Sequence, residues 1–191
     1  MKRRFLTLDV FTRRRFAGNP LAVVLDALEL DTEAMQAIAR EFNHPETVFV
    51  LPPQDHTHRA ALRIFTPAAE LPFAGHPTVG TTVALAFVSQ EETQAFVLEE
   101  QVGPVACSVQ MSDAACGRAE FKLPRLPEFA GEAPDVASIA AALSLDVSDI
   151  LSGAYAPSRW SAGLPYPCIF LRSLDAVRRA RQRLSPLRAD N

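Results

Sequence analysis

Two ionisable side chains stand where their neighbours would let them do chemistry. Glu46 follows Pro45 and precedes the apolar run Thr47-Val48-Phe49-Val50. A carboxylate at the mouth of a buried strand is partly desolvated, which favours its protonated form and suits a group that takes up and returns protons near neutral pH. The same spacing also fits a solvated loop acid. His76 lies in Gly75-His76-Pro77-Thr78-Val79-Gly80. There, free backbone N–H groups at a helix N-terminus can hold a carboxylate or a developing enolate oxygen. His76 either donates or relays a proton in that setting or simply caps the helix, and spacing does not choose between the two. Gly18-Asn19-Pro20 is common turn chemistry, and taken alone it signals nothing more.

Other chemistries find no support. The Gly75 to Gly80 stretch lacks both the GxGxxG dinucleotide fingerprint and the GK[ST] ending of a phosphate-binding loop, so no nucleotide cofactor is implied. Cys107, Cys116 and Cys168 are odd in number and show no CxxC spacing. They read as reduced thiols, with Cys107 a core filler. His44, His56 and His58 form no metal-like constellation, and His56-Thr57-His58 reads as a hairpin tip.

The elements that must position Glu46 and His76 follow from periodicity. Phe5 to Phe11 and Leu21 to Leu25 read as strands. A helix capped by Asp31 buries Met35, Ile38, Ala39 and Phe42 and ends at His44-Pro45. Thr47 to Leu51 and Ala60 to Thr66 are strands. A helix then opens at Gly75-His76-Pro77, with Pro77 in the first helical position and Val79, Val83 and Phe87 along one face. Strands follow at Gln94 to Leu98, Val105 to Met111 and Ala119 to Leu123. Pro124, Pro127 and Pro134 mark a connection, which sets a domain boundary: an N-terminal lobe over 1–128 and a connection with a partial second lobe over 129–191. Val136 to Leu143 reads as a helix. Gly163 to Leu171 reads as a turn feeding a buried strand, and Ser173 caps a helix running to about Leu184 with Leu174, Val177 and Leu184 inward.

The 191 residues can bury a real core, and 48% hydrophobic with 21% charged residues is the balance of a globular protein. A net charge of −3 argues against a nucleic-acid reader, although six arginines between Arg172 and Arg188 face the single acid Asp175. That cluster reads as a solvated helix face. The basic start Met1-Lys2-Arg3-Arg4 is not followed by the apolar run of a signal peptide, and no stretch approaches the ~20 apolar residues of a membrane span. A cytoplasmic protein with no membrane partner is expected.

Taken in order, Asp9-Val10-Phe11-Thr12, Phe16-Ala17-Gly18-Asn19-Pro20-Leu21-Ala22-Val23-Val24, Glu46-Thr47-Val48-Phe49-Val50, Arg63-Ile64-Phe65-Thr66-Pro67 and Glu70-Leu71-Pro72-Phe73-Ala74-Gly75-His76-Pro77-Thr78 resemble the PhzF-like isomerase family. The likeness continues more loosely to Ser161-Ala162-Gly163-Leu164-Pro165. It implies an α+β, diaminopimelate-epimerase-like fold, in which each lobe is a curled mixed β-sheet around a central helix and the active site lies between two lobes. It also implies a cofactor-independent isomerase or epimerase, homodimeric, that moves a proton on a small carboxylated substrate. By residue match, Glu46 would be the catalytic acid/base and His76 a second catalytic polar group. Asn19 would line the substrate site, and Gly75 and Pro77 would present the helix N-terminus to the substrate. Two departures stand out. Pro45 replaces the family's usual serine, removing a hydroxyl and an N–H. The family's G-x-x-E-D-P-A-T-G-S stretch of the second lobe does not occur before Asn191, so the second lobe is expected to be incomplete. The alternative reading is an inactive homologue serving as a ligand-binding or interaction module.

Overall fold

A computed structural model describes residues 2–113, 115–123, 126–162 and 165–183. They fall into two compact units, Met1–Pro124 and Arg125–Asn191.

The first unit begins with β1 (Phe5–Val10), antiparallel to β2 (Asn19–Val24). The chain crosses over through α1 (Thr32–Phe42) and returns as β3 (Glu46–Leu51), parallel to β2. Asp31 caps α1 by accepting a bond from the Ala34 N–H at 2.8 Å. The helix stops earlier than its sequence suggests. Asn43 takes a left-handed conformation (φ 52°) and returns its N–H to the Ala39 carbonyl, so the stop comes from Asn43 and not from His44-Pro45. Met35 and Ala39 of α1 pack with Val24, Ala27, Phe49 and Phe65 in a small core on that side of the sheet.

Antiparallel β4 (Ala60–Phe65) and the two-residue β5 (Glu70–Leu71) extend the sheet beyond β3. Arg63 of β4 donates to Glu70 through Nε at 2.7 Å and Nη2 at 2.6 Å, a paired fork that pins β5 in register. After α2 (Gly75–Ser89), β6 (Thr93–Glu100) lies parallel to β4 and continues into antiparallel β7 (Gly103–Asp113) and β8 (Cys116–Phe121). The strand order is β1-β2-β3-β4-β6-β7-β8, with β5 beside β4.

Helix α2 touches β1, β2 and β3 at one end of this order and β7 and β8 at the other. One helix reaches both ends only where the sheet curls around it. Burial agrees: Pro77, Thr78, Gly80, Thr81, Thr82, Ala84, Leu85 and Ala86 are all buried, so apolar and small residues surround the axis. Val79 and Val83 of the expected inner face are only half-buried, and Phe87 is exposed, because a central helix has no single inner face. Gly80 is what lets α2 approach β1 and β2, since a Cβ there would lie 2.5 Å from Leu21 Cδ2 and 2.9 Å from Val10 Cγ2. Cys107 is buried in the main core, as its alternation predicts.

The second unit holds β9 (Glu128–Glu132), α3 (Val136–Leu143), β10 (Ser158–Ser161), β11 (Pro165–Cys168) and α4 (Leu174–Arg179). Its sheet runs β11-β10-β9. Ile139, Ala140 and Ile150 form its core. Two expectations fail here. The strand of this segment is Pro165–Cys168 and is largely exposed, because two prolines and a tyrosine leave it at a sheet edge. Helix α4 is capped by Ser173 as expected but ends at Arg179, and it buries Ala176 while Leu174 and Val177 face outward. Gly163, Leu164 and Leu184 lie outside the described residues.

Candidate active site

Strands β2 and β3 are parallel, and Leu21 is the register partner of Glu46. Asn19, at the start of β2 and opposite Val10, therefore lies at the same end of the sheet as Glu46. Gly18 holds the turn that delivers Asn19 there. A Cβ at Gly18 would meet the Val10 carbonyl oxygen at 2.5 Å, a backbone atom with nowhere to retreat.

The N-terminus of α2 closes on this end. His76 Nδ1 stands 3.2 Å from Glu46 Oε2, with the His76 side chain 8% and the Glu46 side chain 18% exposed. The two are close without an aligned hydrogen bond: Glu46 Oε2 and His76 Nε2 are both buried and, among the described residues, neither has a hydrogen-bond partner. Buried polar atoms are seldom left this way, and the places where they are left are commonly sites that receive a ligand. Burial holds the His76 imidazole below its ordinary 6.5, while the Glu46 charge and the Pro20 carbonyl act the other way. The ring is therefore neutral at pH 7.

The first turn of α2 supplies a second feature. Ala74 is its N-cap and contributes no side-chain bond. Gly75, His76 and Pro77 are the first three helical residues, so Pro77 occupies the third position and not the first. The N–H groups of Gly75 and His76 have no acceptor within the helix, and Pro77 has no N–H to leave unsatisfied. Two donors and the positive end of the helix dipole thus converge beside the Glu46–His76 pair, an arrangement that suits an anionic group. Gly75 lies against Phe121, whose ring would be 3.5 Å from a Cβ there, so its steric demand is slight.

Phe11 joins the site without a signal in composition or spacing. Its ring centroid is 6.3 Å from that of His76, it is 77% exposed, and its φ is 64°. Phe16, in the same β1–β2 loop, also has positive φ (62°), and Asp9 Oδ2 anchors the loop by accepting the Phe16 N–H at 2.9 Å. Such backbone is uncommon for a bulky residue and lies where a wall of the site would be. The other histidines stay apart. His58 Nδ1 is 2.9 Å from Glu99 Oε1 at the β3–β4 turn, a structural contact. A cavity of about 490 Å³ lined by Arg3, Asp26, Leu28, Pro52, Arg59 and Leu85 opens elsewhere. Leu85 is nine residues along α2 from His76, roughly 14 Å, so this cavity does not belong to the pair.

The family described as phenazine biosynthesis-like protein matches residues 8–189. An isomerase from Mesorhizobium japonicum, named as uncharacterized, is 53% identical over 180 residues, covering 94% of this chain and 59% of that protein. The trans-2,3-dihydro-3-hydroxyanthranilate isomerase of Pseudomonas aeruginosa is 44% identical over 117 residues, covering 56% of this chain and 42% of that one. The structure of a predicted epimerase from Pseudomonas aeruginosa superposes with a TM-score of 0.82 at 39% identity, covering 95% of this chain and 64% of that one. The fold is the α+β, diaminopimelate-epimerase-like architecture. The chain spans less than two thirds of the length of each of these relatives. No helix among the described residues is long and apolar enough to cross a membrane.

Proposed function

The chain belongs to the phenazine biosynthesis-like protein family, and from that premise we propose that it serves cofactor-independent proton transfer on a small carboxylated substrate, with Glu46 as acid and base. The observation that carries this reading is the buried Glu46–His76 pair, 3.2 Å apart, with Glu46 Oε2 and His76 Nε2 unclaimed at a helix N-terminus.

The substrate carboxylate docks on the Gly75 and His76 N–H groups, which fixes the carbon skeleton over Glu46. The Glu46 carboxylate then removes a proton from a carbon activated by conjugation. The C–H electron pair moves into the π system, the new acid holds the proton, and it returns the proton to another carbon of the same skeleton. No redox change occurs and no other reactant is consumed. With its proton on Nδ1, on the side of Glu46, the neutral His76 ring leaves the unclaimed Nε2 as an acceptor for a substrate O–H or N–H. Asn19 at the start of β2 adds a polar wall. The relative that isomerises trans-2,3-dihydro-3-hydroxyanthranilate points to cyclic amino acids as the substrate class to try first.

The test is deuterium incorporation from D₂O, followed by NMR, into a panel of cyclic and amino-acid carboxylates. Exchange by the chain that disappears in Glu46→Gln supports the assignment; exchange by the variant at the wild-type rate sinks it. A second reading is a ligand-binding or interaction module, in which the helix N-terminus and the unclaimed Glu46 Oε2 and His76 Nε2 hold an anionic ligand without chemistry. That reading predicts saturable carboxylate binding without exchange. We also propose a homodimer, and a monomeric mass by light scattering would refute it.

A further inference from the structure

Glu100 ends β6 and is 7% exposed, and the proton-transfer reading makes no use of it. Its environment is set by one residue of α2. Thr78 Oγ1 lies 2.8 Å from Glu100 Oε1 and also 2.8 Å from the Ala74 carbonyl oxygen. A hydroxyl carries a single hydrogen. Were Glu100 ionised, Thr78 would face two acceptors with one proton, and one of the two oxygen–oxygen contacts would have no hydrogen in it. A proton on Glu100 resolves this: the acid donates to Thr78 Oγ1, and Thr78 donates to Ala74. The second oxygen leads to the same conclusion. Glu100 Oε2 is buried and has no hydrogen-bond partner among the described residues, a position far costlier for a carboxylate than for a neutral acid.

We propose that Glu100 is a protonated carboxylic acid that positions the first turn of α2 through Thr78, and that losing this proton loosens the turn. Ala74, at the end of the relay, is the N-cap residue directly before the Gly75 and His76 N–H groups. The consequence for substrate binding therefore rests on the proton-transfer reading; the protonation itself does not. Burial pushes the Glu100 acid up to about 7, and the Thr78 bond acts in the opposite sense. Among the described residues no charged neighbour contributes: neither His76 of α2, the adjacent Glu99, nor Arg118 and Glu120 of β8 acts on it. Cys107 of β7 does feel Glu100: burial pushes its thiol up, a Thr82 bond acts the other way, and the Glu100 charge adds to the rise.

The test needs no turnover. The ¹³C shift of the Glu100 carboxyl, followed by NMR in the labelled chain, is expected to titrate near neutrality, and the Thr78 amide is expected to move with it. Titration in the ordinary carboxylate range near 4.5 would overturn the proposal. Glu100→Gln keeps a donor toward Thr78 and removes the titration. Because the acid is raised only in the folded state, the unfolded chain binds fewer protons between about 4.5 and about 7. The wild-type folding constant should therefore fall by up to tenfold per pH unit relative to Glu100→Gln across that window and stay level above it. Parallel pH profiles for the two proteins would refute the proposal. If the variant does not fold, the wild-type carboxyl titration still decides. Failure of deuterium exchange would leave this result untouched.

Discussion

His76 Nδ1 stands 3.2 Å from Glu46 Oε2, an approach made by the second residue of α2 and the first residue of β3. Thirty positions separate them in the chain, and the curl of the sheet around α2 brings them together. A neutral imidazole beside a carboxylate, both largely buried, has consequences for stability as well as for chemistry.

Removing His76 should alter the pH dependence of folding. Burial lowers the folded-state value below the 6.5 of the unfolded chain, so the unfolded state binds more protons as pH falls through that window. The stability associated with neutral His76 is full above about 6.5 and is lost as pH drops through the lowered folded value. His76→Asn should flatten this acid-side slope in urea titrations between pH 7 and 5. An unchanged slope would mean that the ring is not buried as neutral imidazole.

Gly80→Ala tests the close contact of α2 with β1 and β2. A Cβ 2.5 Å from Leu21 Cδ2 and 2.9 Å from Val10 Cγ2 overpacks a site whose neighbours are 0% and 7% exposed. The gain in helix propensity offsets only part of this, so a net loss of about 1–2 kcal/mol is expected from chemical denaturation. A stability gain would show that the helix has room to move.

Phe11→Gly separates the site from the fold. The left-handed backbone of Phe11 suits glycine, and its ring is 77% exposed, so stability should change by less than about 1 kcal/mol. Loss of the ring beside His76 should nevertheless raise KM for exchange several-fold. A large loss of stability with unchanged KM would assign Phe11 to folding instead.

Pro45→Ser restores a hydroxyl and an N–H next to Glu46 at an exposed bend. A single hydrogen bond to a charged substrate group is worth about 1.5 kcal/mol, so KM should drop roughly tenfold. No change in KM would place residue 45 beyond reach of the substrate.

Much of this was legible in the linear chain. The strands and helices of 5–123 were visible because β-strand alternation and capping chemistry are local, and Asp31 and Ser173 cap the helices they were expected to cap. The two-residue β5 was not visible, since it is held by the Arg63–Glu70 fork and not by propensity. Glu100 was overlooked although a signal existed: it shares the face of Leu98 at period two, which places an acid on the buried side of β6.

The sequence by itself determined which groups were available: a carboxylate before an apolar strand, a histidine in a helix start, and turn chemistry at Gly18-Asn19-Pro20. Tertiary structure alone decided that Glu46 and His76 meet, that Phe11 stands beside them, and that Thr78 ties Glu100 to the N-cap of α2. The reason is physical. Local propensity acts over a few residues, whereas the desolvation and pairing of charged groups depend on which distant surfaces the curled sheet closes around the central helix.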